Sequence, residues 1–431
     1  MIRCIEQLKS SREFHAEVLG LMIVPEQAKS PKPFYGWFIV AACFAVILIP
    51  GAAMWTFGIF LKPVANEFGW SRALVSSGYT AFLIGYVISV ITTGRLADRY
   101  SPRPILLVSA LLAGLGFFLC SQVHTIIQLR ISLFIGGLGV GATWSVPTST
   151  VQRWFFARQR AGLALGIVVS GVGMGVLIFA PLINFLILNY GWRGAYLVIG
   201  ILFFIIITTS SCVVKPSPVE IGKGSEGAET RLNRIGIQGW ATREVVTTLS
   251  FAGITFSHCV VIVAFQTICA HLVPYATDVG ISSTASATAL GLLGGFSIPG
   301  RIVSGYLSDR IPWQRILALS LFGMALFTLW LLFLKGVWML YGFVFFYGIC
   351  HGSRVSAYLG ILGEFFGMRS LGELIGITMA IGMFIGAFAP YVAGFIFDTT
   401  GSYLVVFLIM TILLLSGGII ARVIKKPVAP E

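Results

Sequence analysis

Gly94-Arg95-Leu96-Ala97-Asp98-Arg99-Tyr100 returns, altered, as Gly305-Tyr306-Leu307-Ser308-Asp309-Arg310-Ile311. Each copy follows an apolar stretch of about twenty residues, the second and the eighth of twelve such stretches in the chain. A hydrocarbon core about 30 Å thick needs roughly 20 apolar residues per helix, so twelve spans and their connections use most of the 431 residues. The chain reads as a duplicated membrane protein, and the two halves can be compared position by position.

Composition agrees with that class. Hydrophobic residues make up 57% and charged residues only 10%, with a mean hydropathy of +0.92. A water-soluble globule carries about 25% charged residues, so this solvent is lipid. Backbone polar groups in lipid must pair within the protein, and long apolar runs without period-2 alternation therefore mean helices and not a barrel. The fold class is all-α.

The spans are expected near 37–61, 72–94, 104–122, 125–148, 161–188, 192–214, 247–273, 284–307, 313–334, 338–363, 370–395 and 401–424. With the N-terminus placed in the cytoplasm, 24 of the 29 Lys and Arg fall on that side. The positive-inside rule then puts both termini there. The net charge of +13 is thus a topology signal, and its spread over short loops excludes a nucleic-acid-binding face. Residues 1–34 form a cytoplasmic segment without a signal-peptide core, and Met22 is a candidate natural start. Residues 35–214 and 247–424 are the expected six-helix bundles, 215–246 a Pro- and Gly-containing linker, and 425–431 a cytoplasmic tail.

Two residue classes invite chemistry and lose it on spacing. The seven cysteines show no C-x-x-C pattern, so they read as small apolar filler and no metal site is expected. Clusters such as Gly136-Gly137-Leu138-Gly139 and Gly171-Val172-Gly173-Met174-Gly175 follow no strand and precede no Lys-Ser/Thr. They read as close helix contacts, not phosphate loops. No nucleophile–base pair appears, and neither an enzyme nor a cofactor is expected.

The internal repeat extends well beyond the marker. At an offset of 211 positions Pro63 maps onto Pro274, Glu67 onto Asp278 and Gly69 onto Gly280; at 210, Phe155-Phe156 maps onto Phe365-Phe366, Gly162 onto Gly372, Gly166 onto Gly376 and Gly191 onto Gly401. An even number of spans separates the copies, so they share one orientation: a parallel repeat about an axis along the membrane normal, with a cleft between the halves.

Here the chain resembles the major facilitator superfamily. Its hallmark Gly-x-Leu-x-Asp-Arg-x-Gly-Arg-Arg is matched by Gly94, Leu96, Asp98, Arg99 and Arg103, and again by Gly305, Leu307, Asp309, Arg310 and Arg315, with departures at Ser101-Pro102 and Pro312-Trp313. Tyr35-Gly36-Trp37, Phe57-Gly58-Ile59-Phe60-Leu61, Phe68-Gly69-Trp70-Ser71-Arg72, Trp154-Phe155 and Gly191-Trp192-Arg193-Gly194-Ala195 look like the branch of monocarboxylate carriers and oxalate/formate antiporters. The resemblance implies gating by Gly94, Asp98, Arg99, Arg103, Gly305, Asp309 and Arg310, in a loop that stabilises the state closed to the cytoplasm. It also implies a substrate-carboxylate role for Arg301, whose position alone would allow snorkelling. The carriers' Asp four residues before that Arg is Ser297 here, their first-span Lys aligns with Trp55, and the antiporters' eleventh-span Lys is missing.

Charges kept in lipid supply the candidate site. No Asp or Glu falls deep in an expected span, whereas Arg354 lies about 15 Å from the near end of the tenth. A midplane Arg costs ~2.5–3.5 kcal/mol on insertion scales, so it is read as an anion-binding group, with structural pairing the alternative. Tyr347, His351 and Tyr358 share its helix face. Trp55 and Trp144 are candidate apolar walls, with ordinary helix packing the alternative for each, and Trp144 is the repeat partner of Arg354. His258 and His351 are candidates for proton coupling, with a structural histidine the alternative for each. The expected protein is a monomeric transporter of small organic anions, either mono- or dicarboxylates. It would work by alternating access in the lipid bilayer of a bacterial or archaeal cell membrane, with protons or a counter-anion as co-substrate. Glycines of the fifth and eleventh spans would bring the halves close. An exporter of a neutral or hydrophobic compound and a transport-dead sensor are the other readings.

Overall fold

The computed structural model describes residues 35–155, 161–215, 240–308, 310–367 and 370–427, with the side chains of residues 98, 99, 161–163 and 372 left aside. The segment 1–34 with Met22, most of the linker, Asp309, the side chains of Asp98 and Arg99, and residues 428–431 lie outside that description.

The described residues are helical almost throughout. In order they form α1 (Gly36–Trp55), α2 (Phe57–Phe68), α3 (Arg72–Arg99), α4 (Pro102–Ser121), α5 (Ile126–Phe155) and α6 (Ala161–Val213). A short α7 (Thr242–Val246) follows. Then come α8 (Leu249–Asp278), α9 (Ser283–Leu307), α10 (Trp313–Trp330), α11 (Val337–Phe366), α12 (Leu371–Gly386), α13 (Ala389–Thr400) and α14 (Leu404–Val423). Nine helical stretches among the described residues are long and apolar enough to cross a membrane.

Two expected spans are interrupted, each for a local reason, and two others run together. The first breaks at Thr56, whose hydroxyl donates to the Ala52 carbonyl and competes with the helical bond to that group. The eleventh breaks between Gly386 and Ala389 because Pro390 has no N–H for the preceding turn. The fifth and sixth run together as α6 but turn at Gly191, which has φ 71° and ψ 169°.

The repeat is visible in the backbone. Gly69 and Gly280 both adopt positive φ, as do Gly191 and Gly401, the pairs expected at offsets of 211 and 210. Ser71 and Ser282, also 211 apart, both cap the following helix by accepting from Leu74 N–H and Ala285 N–H.

Helices α1–α6 pack mainly on one another, as do α8–α14; the two groups meet where α6 touches α9, α2 touches α8, and α3 touches α12 and α13. Small residues make these approaches possible. A Cβ on Gly173 of α6 would sit 2.6 Å from the Gly294 carbonyl of α9, and one on Gly394 of α13 would sit 2.8 Å from Ala73 N of α3. The sequence reading named the fifth and eleventh spans for this role but missed Gly58, which abuts the carbonyls of Cys269 and Ala270.

The two ends of the bundle differ. At the end where α3 begins, Arg72 forms an ion pair with Asp278 at 2.7 Å and donates to Tyr403 Oη at 2.9 Å. Asp398 accepts from the backbone N–H of Arg72 and Ala73 at 3.0 and 2.8 Å, and Lys62 reaches Asp278 at 2.7 Å. Every one of these bonds joins the first group to the second. At the marker end, Cβ atoms built on Gly94, Gly305, Gly166 or Gly376 would meet nothing within 4 Å. Among the described residues at this end, Arg103 Nη2 lies 4.0 Å from Cys212 Sγ, Arg153 donates to the Ala97 carbonyl, and Arg310 donates to Tyr306 Oη.

Candidate functional site

The site is built by the contact between α9 and α11. Gly300 lies directly against the Ile349 carbonyl, and Gly352 against that of Ser297. Ser353 donates to the Gly300 carbonyl at 3.0 Å and Ser356 to that of Arg301 at 3.3 Å. Arg301 follows one of these glycines and Arg354 stands two residues after the other, so the close approach fixes both side chains in one place.

They line a cavity of about 300 Å³ between the two groups of helices. α9 and α11 contribute Arg301, His351, Arg354 and Tyr358; α8 contributes His258, Phe265 and Gln266. The opposite wall carries Met54 and Trp55 of α1, Tyr86 of α3, Trp144, Thr148 and Gln152 of α5, and Val172 of α6. No Asp or Glu is among the lining residues.

Hydrogen bonding at the site is incomplete. Arg354 is only 6% exposed, and Nη1 lies 3.4 Å from His258 Nδ1, a long contact. A guanidinium can only donate, so Nδ1 accepts and the imidazole proton sits on Nε2, giving a neutral His258. That Nε2 has no partner; neither do Arg354 Nε, Arg301 Nε, His351 Nδ1 and Gln266 Nε2. Arg301 donates from Nη1 to the Val169 carbonyl at 3.3 Å, so it points inward and does not snorkel. Native interiors leave few buried polar groups unpaired, and a cluster of this kind in a cavity is what a polar ligand would satisfy.

The aromatic groups order these side chains. His351 stacks on Phe265 with centroids 3.7 Å apart, and Trp55 meets both edge-on at 5.6 and 4.4 Å. His258 stacks on Tyr358, whose hydroxyl is hydrogen-bonded to Thr378.

Of the sequence candidates, Arg301, Arg354, His351, His258, Tyr358, Trp55 and Trp144 come together here. Tyr347 does not: it is fully buried, packs against Phe343, and is absent from the lining. The polar stripe on α11 is longer than the cavity it borders. Gln266 and Tyr86 were missed; a lone amide inside the apolar run of α8 was the available signal for the first.

A third histidine differs from these two. His271 Nε2 donates to the Pro390 carbonyl at 2.8 Å and Nδ1 accepts from Tyr403 Oη at 2.9 Å, so both ring nitrogens are used within the Arg72 network.

Comparison with known proteins places this geometry. Residues 42–335 match the family model of the Major Facilitator Superfamily. Monocarboxylate transporter 11 of Homo sapiens is 26% identical over 410 residues, spanning 92% of this chain and 84% of that protein. Monocarboxylate transporter 4 of Gallus gallus is 26% identical over 435 residues, spanning 96% and 89%. Among solved structures, a D-xylose–proton symporter aligns with a TM-score of 0.72 at 14% identity, covering 91% of this chain and 98% of that one. A bacterial homologue of the human lysosomal transporter Spinster aligns at 0.66 and 16%, covering 91% and 94%. At such identities the structures speak for the fold alone. The family match spans more than half of the chain, and with it the helices, the repeat and the cleft have one common meaning: the chain belongs to the Major Facilitator Superfamily, as a multi-pass membrane transporter and not an enzyme.

Proposed function

We propose that the protein carries small organic carboxylates across the cell membrane by alternating access, with the anion held at Arg301 and Arg354. One observation carries this reading: the buried Arg354 and the half-buried Arg301, each with a buried and unpartnered Nε–H, share a cavity whose lining includes no acidic residue. An uncompensated charge in lipid is costly, and a carboxylate is the ligand that fits a planar guanidinium fork. The names of the similar monocarboxylate transporters point the same way.

The proposed frame is twelve spans, since α9 and α11 are long enough at 25 and 30 residues and α6 divides at Gly191. Residues 35–214 and 247–424 act as the two bundles, with both termini and the marker loops on the cytoplasmic side. The Arg72 cluster then closes the outer face while the cleft opens inward, with Asp98 and its neighbours acting as the inner latch in the opposite state. His351, with Nδ1 unpartnered, and His258, if Arg354 releases its Nδ1, are the groups through which a proton could accompany the anion; exchange against a second anion needs neither.

Counterflow in proteoliposomes tests the reading. Vesicles loaded with a panel of mono- and dicarboxylates, assayed at two pH values, are expected to accumulate labelled carboxylate against an unlabelled pool. Accumulation of a neutral compound with no response to any carboxylate would sink it. A rate that rises as external pH falls points to proton coupling, and a pH-independent rate to anion exchange.

A further inference from the structure

The cavity has one wall with cations and one, rich in aromatic groups, without them, and the repeat explains why. Arg354 corresponds to Trp144 at the offset of 210, and Arg301 to Val90 at 211. Duplication therefore left cationic groups on the second half only, while the first half presents the aromatic groups Trp55, Trp144 and Tyr86 beside Met54 and Val172, with Thr148 and Gln152 as uncharged polar neighbours. This arrangement suits a substrate that is itself polarised.

We propose that the preferred substrate is an amine-free arylalkyl monocarboxylate, with its carboxylate at Arg301 and Arg354 and its ring against the wall formed by Trp144, Trp55 and Tyr86. The proposal rests on the organic-anion reading above. Three features narrow the class. A dicarboxylate would press its second charge against a mainly aromatic and aliphatic wall that offers the uncharged Thr148 and Gln152 but no cation to pair with it. A zwitterionic amino acid would set its ammonium beside two guanidiniums, with no carboxylate in the lining to offset the repulsion. A cavity of about 300 Å³ holds many waters, more than the six heavy atoms of a three-carbon hydroxy acid displace.

The aromatic wall is also where selectivity would reside. Ring-on-ring contacts add to simple burial, and an acid without a ring cannot make them. Trp144 is therefore a specificity residue, and its loss acts on the ratio between long and short substrates.

Binding to the full-length protein in lipid nanodiscs, measured by calorimetry with phenylacetate, acetate, oxalate, phenylalanine and 2-phenylethanol, tests this. Phenylacetate is expected to bind at least about tenfold more tightly than acetate, with oxalate and phenylalanine weaker still. In Trp144→Ala the phenylacetate-to-acetate preference should fall by about tenfold, and Trp144→Phe should retain most of it. Thermal unfolding of each variant shows that it is folded. Acetate or oxalate binding as well as phenylacetate would overturn the amphipathic class and leave the anion reading standing. An unchanged preference in both variants would overturn the role of Trp144. Binding of 2-phenylethanol without any carboxylate would remove the anion reading itself.

Discussion

Arg354→Gln is expected to lower carboxylate affinity and exchange by roughly ten- to a hundredfold while leaving the thermal stability of the empty protein unchanged or raised. The size follows from losing a charge-assisted fork in a water-poor site, about 1.5–3 kcal/mol, where 1.4 kcal/mol is a factor of ten. The sign on stability separates the two readings of this residue. Were Arg354 a structural partner of His258, its removal would orphan Nδ1 and lower the melting temperature. The 3.4 Å contact is long, and Nε is already unpartnered, so little is lost when the charge goes. Arg354→Lys should recover only part of the affinity, because an ammonium keeps the charge but not the planar pair of donors. Arg301→Gln should have the smaller effect, since its Nη1 is already engaged by the Val169 carbonyl. A drop in melting temperature with transport intact would overturn the assignment.

Arg72→Gln should produce the other large change, a shift of the population toward an outward-open state. In the first half Glu67 is satisfied locally: Arg193 reaches it at 2.7 Å and the Trp192 indole N–H donates to it. In the second half the position equivalent to Arg193 is Tyr403, at the offset of 210, so Asp278 draws its cations from across the interface. Arg72 supplies the ion pair and also lies 3.8 Å over the Phe397 ring. These groups are partly exposed, which limits each bond to about 1 kcal/mol or less, but several join at one side chain. A change of about 1–2 kcal/mol alters a two-state ratio by roughly 5–30-fold. Spin labels on Asn66→Cys and Thr399→Cys, both at exposed rim positions, should report one short distance in the parent and an added longer one in Arg72→Gln. Arg193→Gln, which removes a bond within one half, should not add it. Identical distance distributions for the parent and Arg72→Gln would show that the cluster does not hold the halves together.

Much of this was legible before any coordinates. Apolar length located the helices because lipid leaves the backbone no alternative, and the repeat offsets paired residues that turn out to share φ and capping. Arg354 was legible because a charge within a span is rare. The rim was not: Arg72, Asp278 and Asp398 read as ordinary charges near helix ends, and nothing local says that Tyr403 leaves Asp278 without a cation. Tyr347 was misread for a related reason. Helical periodicity reports a face but not where along that face the neighbouring helix stops covering it. Thr56 and Pro390 carried the signals for their breaks, and the hydropathy of the surrounding residues masked them.

Because both guanidiniums belong to α9 and α11, they move as one body whenever the halves rock. Empty, that body carries two positive charges through part of the membrane field; with a monocarboxylate aboard it carries one. A unit charge crossing 100 mV changes the free energy by about 2.3 kcal/mol, so a cytoplasm-negative potential resists the outward return of the empty site more than that of the loaded one. Exchange, in which the site returns loaded, should therefore respond less to an imposed potential than net flux does. Valinomycin-clamped vesicles can compare the two, and equal voltage sensitivity would mean that the charges are neutralised elsewhere. The electrostatics of an unpaired site would then favour swapping one anion for another, without any gate dedicated to that purpose.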